Sequence, residues 1–204
     1  MGIFDTADAY SSQEFKKVSL KQEVVRGKEF DSCTFTRCTF QETTFLNCKF
    51  NDCTFLDCNF KMVSLNGSTF LGTRFEQSEL VGINWTETTW RTTKTLLNKP
   101  VDFVACVINY SVFIGLNLTK VNIVRCSAKN VAFDEANLTK ADCSYTDFED
   151  SRFVGTNLTE ADFTGATHYA IDVRQNTVKK AKFSLPEAMS LLRYFDITLT
   201  DARR

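Results

Sequence analysis

The sequence predicts an all-β solenoid, a chain wound into a narrow coil instead of folded round one central core. Three observations predict it. A large apolar residue recurs every five positions, from Phe30, Phe35, Phe40, Phe45, Phe50, Phe55 and Phe60 through Leu65, Phe70, Phe75, Leu80, Trp85 and Trp90. Two residues before each stands a small one, as with Cys33, Cys38, Thr43, Cys48, Cys53, Cys58, Val63, Ser68, Thr73 and Ser78. The other positions are mostly polar. A helix, at about 100° per residue, carries a step of five round its cylinder, and on a flat strand an odd step alternates faces. Either would expose half of the row. A chain that turns a corner at every fifth residue points all of it inward, and each coil then buries its interior against the next.

The elements follow in order. Residues 1–12 read as an N-terminal tail and 13–90 as a first repeat tract. Residues 91–100 break the register, because Trp90 to Phe103 spans thirteen residues, which is not a multiple of five. That stretch is basic and ends in Pro100, which cannot donate to a sheet ladder; a bulged corner and a projecting recognition loop both fit it. The second tract, 101–168, resumes with Phe103, Ile108, Phe113, Leu118, Ile123, Ala128, Phe133, Leu138, Cys143, Phe148, Phe153, Leu158 and Phe163. Residues 169–204 read as a C-terminal cap. Ser184-Leu185-Pro186-Glu187 has the form of a capping box with an early proline. Leu185, Ala188, Met189, Leu192 and Phe195 form one helical stripe, which predicts an α-helix over about 185–195, with Ile197 and Leu199 alternating as a short strand. A solenoid end exposes backbone and apolar side chains and must be covered, by the cap alone or by the cap together with a second copy.

Units such as Cys53-Thr54-Phe55-Leu56-Asp57, Ala136-Asn137-Leu138-Thr139-Lys140 and Ala161-Asp162-Phe163-Thr164-Gly165 resemble the pentapeptide-repeat motif: a small residue, Asp or Asn, then Leu or Phe. The match runs over residues 13 to 168. The resemblance implies a right-handed quadrilateral β-helix with four units per coil, so that residues twenty apart stack one sheet spacing, about 4.8 Å, away. The tail Phe183-Ser184-Leu185-Pro186-Glu187-Ala188-Met189-Ser190-Leu191-Leu192 is similar to the C-terminal helix of the quinolone-resistance (Qnr-type) members, which protect type II topoisomerases. That likeness implies a homodimer joined through its C-termini, with Leu185, Met189, Leu192 and Phe195 as the seam. It also implies an acidic surface that imitates duplex DNA toward DNA gyrase or topoisomerase IV.

Of nineteen Phe, all but Phe4, Phe183 and Phe195 occupy the central position of a unit. Phe is thus a structural residue here and not an aromatic binding platform. Seven of the eight Cys take the small inward position and Cys143 the large one, so they read as small hydrophobes. Stacked pairs such as Cys33 with Cys53 come within Cα range of a disulfide, but their parallel side chains predict free thiols and a reducing compartment. No CxxC pair occurs and His168 is the single histidine, so no zinc site and no cofactor are expected. The chain has no glycine-rich phosphate loop and no serine elbow, and it reads as a non-enzyme. Asn117-Leu118-Thr119, Asn137-Leu138-Thr139 and Asn157-Leu158-Thr159 fit a glycosylation pattern only because they fit the repeat. No apolar run nears the roughly 20 residues of a membrane span, and a cytoplasmic, membrane-free protein is expected.

Net charge is −1, but it is uneven. Lys and Arg against Asp and Glu count twelve and twelve in residues 1–100, five and nine in 101–163, and seven and four in 164–204. Within 134–163, eight carboxylates face Lys140 and Arg152, a balance of −6. A tail-to-tail dimer would place about −12 near its centre, a field suited to a basic cleft. The residues expected to meet a topoisomerase are therefore Asp134, Glu135, Glu149, Asp150 and Glu160. With no basic stripe, direct nucleic-acid binding is not expected. The alternative is an interaction scaffold for some other protein, using a face of the rod or the interruption.

Overall fold

The computed structural model describes residues 3, 4, 6–89, 99, 101–198 and 200. It is a β-solenoid of about eight turns with four flat faces. Parallel pairing sets the register: Glu29–Asp31 lies over Ala9–Ser11, Thr34–Thr36 over Glu14–Lys16, and Thr44–Leu46 over Val24–Arg26, each a step of twenty. Four units of five make one coil, as the small–polar–large pattern requires.

The faces are numbered by their first central residue. Face 1 begins at Tyr10 and continues through Phe30, Phe50 and Phe70. Face 2 begins at Phe15 and runs through Phe35, Phe55, Phe75, Phe103 and Ile123. Face 3, from Leu20, is held by isolated bridges such as Thr39 to Asn59 and Ser127 to Asp147, and face 4 starts at Val25. The residues before and after each central residue point outward.

Inside, rings of one face stack on the next coil. Phe35 and Phe55 lie 4.5 Å apart at 13°, and Phe113 and Phe133 lie 5.3 Å apart at 6°. Neighbours round the coil meet edge to face, as Phe30 does Phe35 at 5.4 Å and 72°. Both are geometries aromatic pairs favour. The small residues stitch the coils as well as fill space. Ser68 Oγ donates to the Phe45 carbonyl at 2.8 Å and accepts the Cys48 N–H at 3.0 Å. Cys48 Sγ in turn reaches the Val25 carbonyl at 3.5 Å.

The corner lies two residues beyond the central residue and is mostly taken in the left-handed region, from Ser12 at φ 53 to Lys180 at φ 57, whereas after Trp85 a 3-10 turn, Trp85–Glu87, takes its place. Glycine fills it where room demands. At Gly165, φ 68, a Cβ would sit 2.6 Å from the Tyr145 ring, which lies across it from the preceding coil.

Across the interruption the step widens from twenty to twenty-eight, with Phe103 over Phe75 and Val112 over Asn84. Thr89 donates in the old register to Ser68, and Lys99 accepts from Gly72 in the new one. Eight residues are thus inserted at the corner between faces 1 and 2. Trp90, residues 91–98, Pro100 and Leu199 lie outside the described residues, and with them the expected character of the 91–100 break and of the short strand.

Both ends depart from the sequence-based expectation. Ala9–Ser11, assigned to the tail, is the first strand, because Tyr10 supplies the large inward residue and stacks on Phe30 at 5.3 Å. Phe4 plugs the open end, edge-on to Tyr10, Phe15 and Phe30. At the other end Lys182–Phe183 pairs with Asp162–Phe163, so Phe183 is in register and closes the face 2 stack. The expected α-helix over 185–195 is a 3-10 helix over Glu187–Leu192. Its capping-box residues are engaged elsewhere: Ser184 Oγ accepts the Gly165 N–H and Glu187 Oε1 the His168 N–H, each at 2.8 Å. They cap the last coil of the solenoid instead of the helix. Pro186, at the N-cap, makes no side-chain cap bond.

Candidate protein-interaction surface

The interior is filled, so whatever the molecule recognises it recognises from outside. All eight cysteines are buried and unpaired, and burial pushes the Cys53 thiol up to about 12. Among the described residues no cluster of His, Cys, Asp or Glu could hold a metal ion, and no helix is long and apolar enough to cross a membrane.

The acidic stretch is distributed by the winding. Five residues advance the chain to the next face, so carboxylates close in sequence part company in space. Asp142 and Asp162 stand on face 2, Asp147 and Glu149 on face 3, and Asp134 on face 4. Asp150, Glu160 and Glu135 occupy three different corners, at φ 58, 57 and 59.

Several are neutralised by a cation one coil away. Arg152 reaches Asp134 Oδ2 through Nη2 at 2.6 Å and Nε at 3.1 Å. Lys129 Nζ bridges Glu149 at 2.6 Å and Asp147 at 3.1 Å; the Glu149 and Asp147 hydrogen bonds hold its pKa above the ordinary value. Lys140 lies 3.6 Å from Glu160, and Lys182 lies 2.8 Å from Asp162. Burial raises the Asp162 pKa, but the Lys182 and Thr164 hydrogen bonds outweigh it and the net shift is downward. Of the five residues singled out from sequence, Asp134, Glu149 and Glu160 are thus in ion pairs. Glu135 and Asp150 have no ion pair among the described residues, and the five share no single face. Lys129, outside the acidic stretch, is a partner that a linear charge count misses; its signal in the sequence is the twenty-residue step to Glu149.

The tail leaves its apolar stripe outward. Leu185, Met189, Leu192 and Phe195 are 79, 49, 39 and 42% exposed, and Ile197 joins them at 54%. Leu191 turns inward against the core. A groove runs between Met189, Leu192, Phe195 and Ile197. The segment therefore covers the solenoid end with polar side chains and one leucine, and presents five apolar side chains that nothing among the described residues covers.

Two family descriptions match: "Pentapeptide repeat region" over residues 28–99 and "Pentapeptide repeats (8 copies)" over residues 132–167. Among curated protein sequences none matches. Among solved structures, trypsin-treated QnrB1, described as a plasmid-mediated fluoroquinolone resistance protein, superposes with a TM-score of 0.65 at 17% identity, over 92% of this chain and all of that one. Full-length QnrB1 gives 0.55 at 18% identity, over 90% of this chain and all of that one. At that identity the likeness is one of fold.

Proposed function

The chain belongs to the pentapeptide-repeat family, and from that premise we propose that it is a non-enzymatic, protein-binding rod that works as a homodimer on a type II topoisomerase, DNA gyrase or topoisomerase IV. The observation that carries the dimer is the row of five exposed apolar side chains from Leu185 to Ile197 beside the capped solenoid end. Exposed clusters of this kind mark interfaces. The topoisomerase is supported by the similarity of the tail to the quinolone-resistance members and by the shared fold with QnrB1. The eight unpaired thiols favour the cytoplasm as its compartment.

The ion pairs change the form of the idea. A continuous acidic field is not what the surface offers, since Arg152, Lys129, Lys140 and Lys182 cancel much of it. Rod shape, the dimer and a few unpaired carboxylates have to carry recognition. The test is a gyrase supercoiling assay with and without a quinolone. Inhibition of supercoiling or relief of drug poisoning is expected; neither effect over a wide range of protein concentration sinks the topoisomerase and leaves the alternative, a scaffold for another protein.

A further inference from the structure

Among the described residues away from the two ends, six large apolar side chains are well exposed: Val24, Met62, Tyr110, Ile114, Tyr145 and Val154. Five of the six fall together. Val24, Ile114 and Val154 point out from face 4, at 51, 40 and 51% exposure, and Met62 and Tyr110 stand on the corner that leads into it, at 57 and 62%. From Thr44 to Ala132 the outward residues that flank the central ones on this face are uncharged, and the one carboxylate over them, that of Glu87, accepts from Ser64 Oγ at 3.3 Å and Asn84 Nδ2 at 3.2 Å. Faces 1, 2 and 3 all carry charged outward residues, such as Lys49, Asp142 and Lys129. Near its C-terminal end face 4 is bracketed by Glu135 on one corner and Asp150 on the other, two carboxylates of the acidic stretch with no ion pair among the described residues, and the Arg152–Asp134 pair lies on the face between them.

We propose that face 4, with Glu135 and Asp150 at its edges, docks an extended protein segment that alternates aliphatic and basic side chains. The aliphatic residues lie on Ile114, Val154 and Tyr110, and the basic ones reach the two carboxylates. This rests on the reading of the chain as a protein-binding rod, and not on the partner being a topoisomerase. Size argues for a segment over a second copy. From Val24 to Val154 the face runs over seven coils at about 4.8 Å, about 30 Å in length and roughly one short strand wide, with Arg26 at one end and the Arg152–Asp134 pair near the other. That is well under the roughly 800 Å² per partner of a stable interface. Charge argues the same way, because exposed aliphatic side chains edged with unpaired acid select a partner with the opposite sign at matching places.

The experiment uses the full chain and a fluorescein-labelled peptide of alternating Leu and Lys, followed by fluorescence anisotropy. The wild type is expected to bind. Ile114→Lys with Val154→Lys is expected to weaken binding by about tenfold or more. Asn51→Lys with Leu71→Lys, which adds the same charge to face 1, is expected to leave it within about twofold. Glu135→Gln with Asp150→Asn is expected to flatten its salt dependence. Thermal melts show that each variant is folded. No binding by the wild type overturns the proposal, as does equal loss in the face 1 and face 4 variants. A change of molecular mass in the face 4 variant, without loss of peptide, would make the face a self-interface and overturn it too. Run against gyrase, the same variants separate the two readings: a positive peptide arm with no gyrase effect removes the topoisomerase and keeps the face.

Discussion

His168 Nδ1 lies 2.8 Å from Asp147 Oδ1, one coil below, and the backbone N–H of His168 donates to Glu187 Oε1 of the tail at 2.8 Å. The only histidine thus sits where the last coil, the coil beneath it and the cap meet.

The pair predicts a pH dependence. The Asp147 hydrogen bond raises the His168 pKa above its ordinary 6.5, with Glu187 and Glu149 adding in the same direction and Lys129 facing the same carboxylate. A raised histidine stabilises fully below its unfolded pKa and loses that contribution as pH rises through the folded one. Because the ring is 62% exposed, the effect is at most about 1 kcal/mol. His168→Gln should therefore lower urea stability at pH 5.5 and do little at pH 8.5. An equal loss at both would show that the ion pair contributes nothing.

Phe55 is fully buried between Phe35 at 4.5 Å and Phe75 at 4.8 Å. Phe55→Ala removes a ring from the middle of a stack whose backbone cannot close in, since the ladder on either side is hydrogen-bonded. A loss of about 3–5 kcal/mol in denaturant unfolding is expected. A loss under about 1 kcal/mol would mean that the coils collapse into the gap.

The thiols should be inert while the protein is folded. Burial pushes the Cys53 thiol up to about 12 and raises Cys143; hydrogen bonds with Cys58 and Cys126 lower Cys38 and Cys106, but all eight are buried, and a reagent has to reach the thiolate to react with it. Titration with a disulfide reagent at pH 8 should find few fast thiols in the native protein and all eight in denaturant. Several reacting at once in native buffer would contradict the packing.

Leu192 and Phe195 are half-exposed on the outer side of the tail, while Leu191 and Ser190 face the solenoid. Leu192→Glu with Phe195→Glu should halve the mass in light scattering without lowering the melting temperature of the coils. A monomeric wild type, or a variant that stays dimeric, would remove these residues from the seam.

How much was legible varies along the chain. The inward rows from Phe30 to Phe75 and from Phe103 to Phe163 could be read directly, because a coil of five-residue sides repeats one steric demand without interruption. Tyr10 and Phe183 escaped, being in register but flanked by less regular units. The capping box at Ser184 and Glu187 was legible as chemistry but not as address. The same oxygens that would satisfy a helix's free N–H groups satisfy those of Gly165 and His168, and only the folded chain brings those within reach.

The sequence by itself determined the architecture, since spacing decides which side chains can be inside and inside is where most of the burial energy lies. Tertiary structure alone decided the surface. Asp134 and Glu135 are neighbours in the chain, yet one is held by Arg152 and the other stands on a corner with no ion pair among the described residues. Glu149 meets Lys129 twenty residues back. In a solenoid, electrostatic neighbours are set by the coil step and not by adjacency, so charge counted along the chain does not give the field that a partner meets.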